Sequence, residues 1–222
     1  MKVLTQVPVN VFIHLSALVI TFTIFLCYGI AVGLGHVKAW LPMISDCAVL
    51  PPEKYPFRYG FVVEALLLAV ETVIIYNANK AYSKSKTCLV LGVTGAFCIG
   101  VVGVVNEQEC NPVHSTAAVI FFFTYEAVMI MQTFYSQREP SVSSAALLIR
   151  QILTIYCGAA LLAFIYFSTD WGKYGLYIAI CEWSGTLTII GYNWSYALDF
   201  NSYAIAEADE TPSAEKKVPL AV

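Results

Sequence analysis

Four glutamates, Glu64, Glu71, Glu126 and Glu182, stand inside long apolar stretches, together with His14, His114 and Arg150. Ionisable groups in such surroundings are costly to bury and mark interhelical hydrogen bonds, ion sites or proton relays. Glu64 and Glu71 are seven residues apart in one stretch. On a helix that spacing leaves them about 20° apart in azimuth and about 10 Å apart in height, so both face the interior of a bundle. Two uses of these groups stay open from the residues alone: structural hydrogen bonds between helices, or a site for a lipid headgroup, an ion or a proton. The spacings of HExxH, GxSxG, CxxC and Gly-rich phosphate loops do not occur. Three histidines, with His36 in a loop or at a span end, are too few to ligate haem between paired helices. No metal, cofactor or nucleic-acid partner is implied; membrane lipids are.

The elements that hold these groups are hydrophobic helices. Six apolar stretches cover about 11–33, 59–77, 87–105, 113–135, 146–168 and 174–194, and roughly 20 apolar residues cross a bilayer as a helix. Apolar residues make up 59% of the 222 and charged residues 12%. That is too few charges to cover a soluble domain with so apolar a sequence (mean hydropathy +0.70). The stretches are continuously apolar rather than alternating, which argues against a β-barrel. The expected fold is an all-α polytopic membrane protein, a six-helix transmembrane bundle over residues 1–200 with a disordered cytosolic tail at 201–222. The first stretch is longer than the h-region of a cleaved signal and reads as a retained anchor.

Lys and Arg set the orientation. With the N-terminus inside, the cytosolic side takes Lys2, Lys80, Lys84, Lys86, Arg138, Arg150, Lys216 and Lys217; the outer side keeps Lys38, Lys54, Arg58 and Lys173. Both termini are therefore expected in the cytosol. Cys47 and Cys110 are then the cysteines in outer loops, on the oxidising side, and make a disulfide candidate. Counted from the outer ends, His114 and Glu64 come near the outer surface and Glu182 about 12 Å in. Glu71, Glu126 and Arg150 form an inner polar group in which Arg150 approaches one of the two acids. Gly29 and Gly33, and Gly92, Ala96 and Gly100, are small-residue rows suited to close helix contact. Asn193-Trp194-Ser195 has the form of a glycosylation acceptor, but on this topology it lies at the cytosolic end of the last span.

Several segments in fixed order resemble the DRAM family, the damage-regulated autophagy modulators, within the wider Frag and Sfk group. They are Gly35-His36-Val37, Leu41-Pro42-Met43-Ile44-Ser45-Asp46, Pro51-Pro52-Glu53 with Phe57, Val105-Asn106-Glu107-Gln108, Val113-His114, Cys181-Glu182-Trp183 and Asp199-Phe200. Glu107 departs from the Phe usual in the family. The resemblance implies a six-helix, non-enzymatic protein of lysosomal or endosomal membranes that modulates autophagy through bound lipid or partners. More distant branches imply two alternatives, a GPI-lipid-remodelling enzyme or subunit in the Golgi and a plasma-membrane adaptor of phosphoinositide kinase. Pro42, Pro51, Pro52 and Pro56 stiffen the first outer loop. Such a loop can hold Asp46 over an outer polar cluster of Glu64, His114 and Glu182, or Ser45 and Asp46 can simply cap its turns.

Overall fold

In the computed structural model, residues 9–77 and 85–200 are described. The described residues form six long helices: α1 Val9–Gly33, α2 Lys54–Asn77, α3 Lys86–Val104, α4 Glu107–Ser136, α5 Ser144–Phe167 and α6 Trp171–Ser195. Short 3-10 turns follow at Asp46–Ala48 in the first outer loop and Tyr196–Leu198 after α6. The expected tail, and the lysines Lys80 and Lys84 of the loop after α2, lie outside the described residues.

Helices α1 to α5 are long and apolar enough to cross a membrane. α6 has the length, 25 residues, but Lys173, Glu182 and Asn193 lower its apolar character. Chain neighbours pack side by side, and α6 returns against α1, so the six helices close into a ring. Phe97 and Ile155 point outward at 71% and 75% exposure, the arrangement expected where lipid rather than water covers the surface. The molecule is thus a polytopic helical membrane protein.

Helix ends follow local chemistry. Ser85 caps α3 by accepting from Cys88 N at 3.2 Å, and Ser143 caps α5 by accepting from Ala146 N at 3.1 Å. Asn106 opens α4 with a capping box: Glu109 N donates to Asn106 Oδ1 at 2.9 Å and Asn106 N to Glu109 Oε2 at 3.3 Å. α2 and α4 begin earlier than the apolar stretches indicated, at Lys54 and Glu107. Proline is tolerated in a first turn, which admits Pro56 into α2. Cys110 breaks the regular path of α4 (φ −158°, ψ 85°) two residues before Pro112. The turn Glu107–Glu109 therefore sits in the outer layer with the loop, and the membrane-spanning part of α4 follows the break.

Close approach is concentrated on α3. A Cβ on Gly92 would stand 2.7 Å from the Thr72 side chain, one on Gly95 2.6 Å from the Tyr125 ring, and one on Gly103 would collide with Phe61. Glycine there lets α2 and α4 reach the α3 backbone. Gly29 and Gly33 differ from the sequence expectation: a Cβ on either meets nothing within 4 Å, so this pair makes no helix contact.

Candidate functional site

The polar residues of the bundle fall into an outer cap, a central cavity and an inner chamber. The first outer loop forms the cap, tied to α1, to the residue that caps α4 and to α6. Trp183 Nε1 donates to Pro42 O at 2.8 Å, Asn106 Nδ2 to Val49 O at 3.3 Å, and Cys27 Sγ to Glu53 O at 3.4 Å. Glu53, fully buried, pairs with His36 Nδ1 at 2.6 Å. Lys54 Nζ meets Glu109 Oε1 at 2.7 Å and Arg58 meets the other Glu109 oxygen. Those two cations hold the Glu109 carboxyl down at about 2.

Beneath the cap, Ser16 of α1, Glu64 of α2, His114 of α4 and Glu182 of α6 line one cavity of about 60 Å³ together with Ser45. Ser16 Oγ donates to Glu64 Oε1 at 2.8 Å, and Ile44 N donates to Glu182 Oε2 at 2.8 Å. His114 Nδ1 lies 2.7 Å from Val105 O. A carbonyl only accepts, so Nδ1 carries a proton and donates it to Val105 O. Three of the four residues of the expected outer cluster therefore share a cavity. Asp46 stands above it: Met43 N donates to its Oδ2 at 3.3 Å, and its carboxyl lines an outer cleft with Glu107, Trp40 and Trp171. Burial, and then the hydrogen bond and charge of Asp46, push the Glu107 carboxyl up to about 7. Glu107, Glu53 and Ser16 thus join the site without a motif or spacing in the sequence that marks them for it. A serine one helix away from a buried glutamate leaves no signal in spacing.

The inner acids do not gather around Arg150 as the sequence suggested. Arg150, fully buried, donates from Nη2 to Asp199 Oδ2 at 2.6 Å, from Nε to Ser195 Oγ at 3.0 Å and from Nη1 to Ser136 Oγ at 3.2 Å. Its guanidinium also covers the Tyr196 ring at 4.6 Å. Asp199 reaches it because the 3-10 turn after α6 folds back under the bundle. Glu126 instead faces α5 beside Gly158, with Oε1 3.0 Å from where a Cβ would be. Glu71 lines a separate chamber with Tyr125 and Gln132. His14 accepts from Trp194 Nε1 at 2.8 Å, which accounts for it structurally.

The candidate Cys47–Cys110 bridge is not formed; both residues are free thiols. Cys47 is buried and its thiol donates to Met43 O at 3.4 Å, while Cys110 occupies the break in α4. Burial, then the nearby Asp46 charge, pushes the Cys47 thiol up to about 12, so it stays protonated and unreactive. No group of three or more His, Cys, Asp or Glu side chains among the described residues is placed to hold a metal ion.

A family model described as the Frag1/DRAM/Sfk1/Cwh43P N-terminal domain matches residues 8–203. Among curated relatives, DNA damage-regulated autophagy modulator protein 2 of Rattus norvegicus is 30% identical over 86% of this chain and 84% of its own length. DNA damage-regulated autophagy modulator protein 1 of Homo sapiens is 28% identical over 82% of this chain and 87% of its own. No solved structure matches the chain.

Proposed function

The chain belongs to the Frag1/DRAM/Sfk1/Cwh43P family, and on that premise we propose that it is a non-enzymatic protein of lysosomal or endosomal membranes that modulates autophagy. It acts through bound membrane lipid or protein partners. The observation that carries this reading is the match, over most of the chain, to relatives named as autophagy modulators. The lack of a nucleophile or metal motif in the sequence supports a role without catalysis. The arrangement is a six-span bundle with both termini cytosolic. It is supported by α6, which is as long as α1 and returns after a short turn, and by the excess of Lys and Arg on the cytosolic side.

Two measurements test this. Removing the gene should lower the degradation of an autophagic cargo reporter, and re-expression of the chain should restore it. An antibody to the untagged protein should stain lysosomal or endosomal membranes. Unchanged cargo degradation rejects the modulator reading, and plasma-membrane staining transfers support to the kinase-adaptor branch.

A lipid-modifying enzyme is the second reading, favoured by one observation: His114, Glu64 and Glu182 line the same buried cavity. An imidazole that shares a cavity with two carboxyls is of the residue types that general acid–base chemistry uses. His114→Ala should then remove activity at unchanged protein level. Full rescue by that variant excludes His114 from any chemistry.

A further inference from the structure

Three polar spaces follow one another down the bundle. The outer cleft, about 920 Å³, carries the carboxyls of Asp46 and Glu107. Beneath it lies the central cavity of about 60 Å³, with Ser45, Glu182, His114 and Glu64 on its walls. Furthest in is the chamber of about 30 Å³ that Glu71 lines, whose walls include Tyr76 and Cys88 at the inner ends of α2 and α3. Groups able to exchange protons stand between one space and the next. Ser45 lies beside both Glu107 and Glu182, joining the cleft to the cavity. The cavity and the chamber share two wall residues, Leu68 and Asn193. At their junction Ser16 Oγ donates to Glu64 Oε1 at 2.8 Å. The Glu71 carboxyl, two turns further along α2, approaches the same hydroxyl. Both acids are 3% exposed, and Glu64 Oε2 has no hydrogen-bond partner among the described residues.

We propose that these groups form a proton path through the bundle, running from the outer cleft by way of Glu182, His114, Glu64, Ser16 and Glu71 to the inner chamber. Carboxyl, hydroxyl and imidazole groups can each take up one proton and release another. Ionisable side chains facing the interior of a helical bundle are the usual parts of such relays. A fixed cation would stop a relay by holding its acid as a carboxylate, as Lys54 and Arg58 hold Glu109 in the cap. Neither the cavity nor the chamber has a Lys or Arg among its lining residues. Water completes the gaps: at about 10–15 Å³ for each molecule, the cavity has room for about four and the chamber for about two. The step at Ser16 balances. A protonated Glu71 gives its proton to Ser16 Oγ while Ser16 passes its own to Glu64 Oε1, leaving a carboxylate at Glu71 and a carboxyl at Glu64. Rotation of the hydroxyl resets the link, and the reverse order carries a proton inward. The path requires only the membrane-spanning bundle, and it stands whether or not the chain modulates autophagy.

The test uses the full chain reconstituted in liposomes that enclose a pH-sensitive dye, with a potassium gradient and valinomycin to drive protons across. The wild type should carry protons faster than protein-free liposomes do. Glu71→Gln and Ser16→Ala should each bring the flux down to the protein-free rate. Ser16→Ala keeps both acids and tests the same step if Glu71→Gln fails to reconstitute. Glu126→Gln, which alters an acid facing α5 away from the path, should keep the wild-type flux. A wild-type flux equal to that of protein-free liposomes overturns the proposal. So does wild-type flux retained in Ser16→Ala, or an equal loss of flux in Glu126→Gln.

Discussion

Arg150 carries a full charge with no exposure, so its energetic effect depends on Asp199 remaining beside it. Removing one member of a buried pair strands the other, at a cost of about 3–5 kcal/mol. Arg150→Ala should therefore lower the unfolding midpoint sharply in detergent or nanodiscs. Asp199→Asn, which keeps a hydrogen-bond acceptor for the guanidinium, should cost less; equal stability of Arg150→Ala and wild type would show that the pair contributes nothing. The cap carries two acids whose shifts have opposite signs. Glu107 is raised from 4.5 to about 7, so the folded chain binds a proton there that the unfolded chain has released. Its contribution is complete below about pH 4.5 and is lost as pH rises through 7. Glu109 is lowered from 4.5 to about 2; its contribution is present above about pH 4.5 and is lost as pH falls toward 2. Melting midpoints measured across pH should become flatter between 4.5 and 7 in Glu107→Gln, and flatter below 4.5 in Glu109→Gln. In the sequence Arg150 and Asp199 are unconnected, an arginine in a span and an acid beyond the last one. What it could not show was the 3-10 turn at Tyr196–Leu198 that carries one to the other, because a turn of three residues has no periodicity.

α3 and the start of α4 show why element-level reading succeeded in some places and failed in others. Apolar length marked all six helices, because continuous apolar runs are visible in one dimension, while α2 and α4 begin five and six residues before the expected starts at Tyr59 and Val113. Which glycines touch a neighbour depends on azimuth and on the neighbour's own side chains. The row at Gly92, Ala96 and Gly100 was legible as an interface, while Gly29 and Gly33 had the same spacing and no contact. Paired substitutions separate the two cases. Gly103→Ala drives a Cβ into Phe61 and should cost about 1–3 kcal/mol by overpacking. Gly29→Ala faces open space and should be neutral or slightly stabilising, as helix propensity alone dictates. At α4, Asn106→Ala removes the cap and the tie to Val49 and should cost about 1–2 kcal/mol. Thermal unfolding of the three variants side by side is the measurement. Equal behaviour of the two glycine variants would mean that the α2–α3 contact does not limit stability.

At the scale of the whole molecule, the ring closes only because α6 lies between α5 and α1, although α6 lacks the long apolar stretch that each of the other five helices has. Its polar residues explain the difference. Glu182 turns inward to Ile44 N, while Trp183 bonds Pro42 and packs edge-on to Tyr28 with ring centroids 5.8 Å apart. A helix enclosed on two sides by partners can carry such groups through a bilayer, because those partners rather than lipid surround them. The six-span arrangement proposed above has an even number of crossings, which would place both chain ends on one side. Epitopes placed before Met1 and after Val222 should therefore become accessible together, when the plasma membrane alone is permeabilised and organelle membranes remain closed. A glycosylation acceptor engineered near Trp40, which is 77% exposed in the outer loop, should be modified and give a glycosidase-sensitive mobility shift. The natural Asn193-Trp194-Ser195 should not, since it lies at the opposite end of α6 and its serine is buried against Arg150. A glycan on Asn193, or a C-terminal epitope protected while the N-terminal one is exposed, would place the end of α6 on the outer side. The Arg150–Asp199 clamp would then lie on the outer face with it.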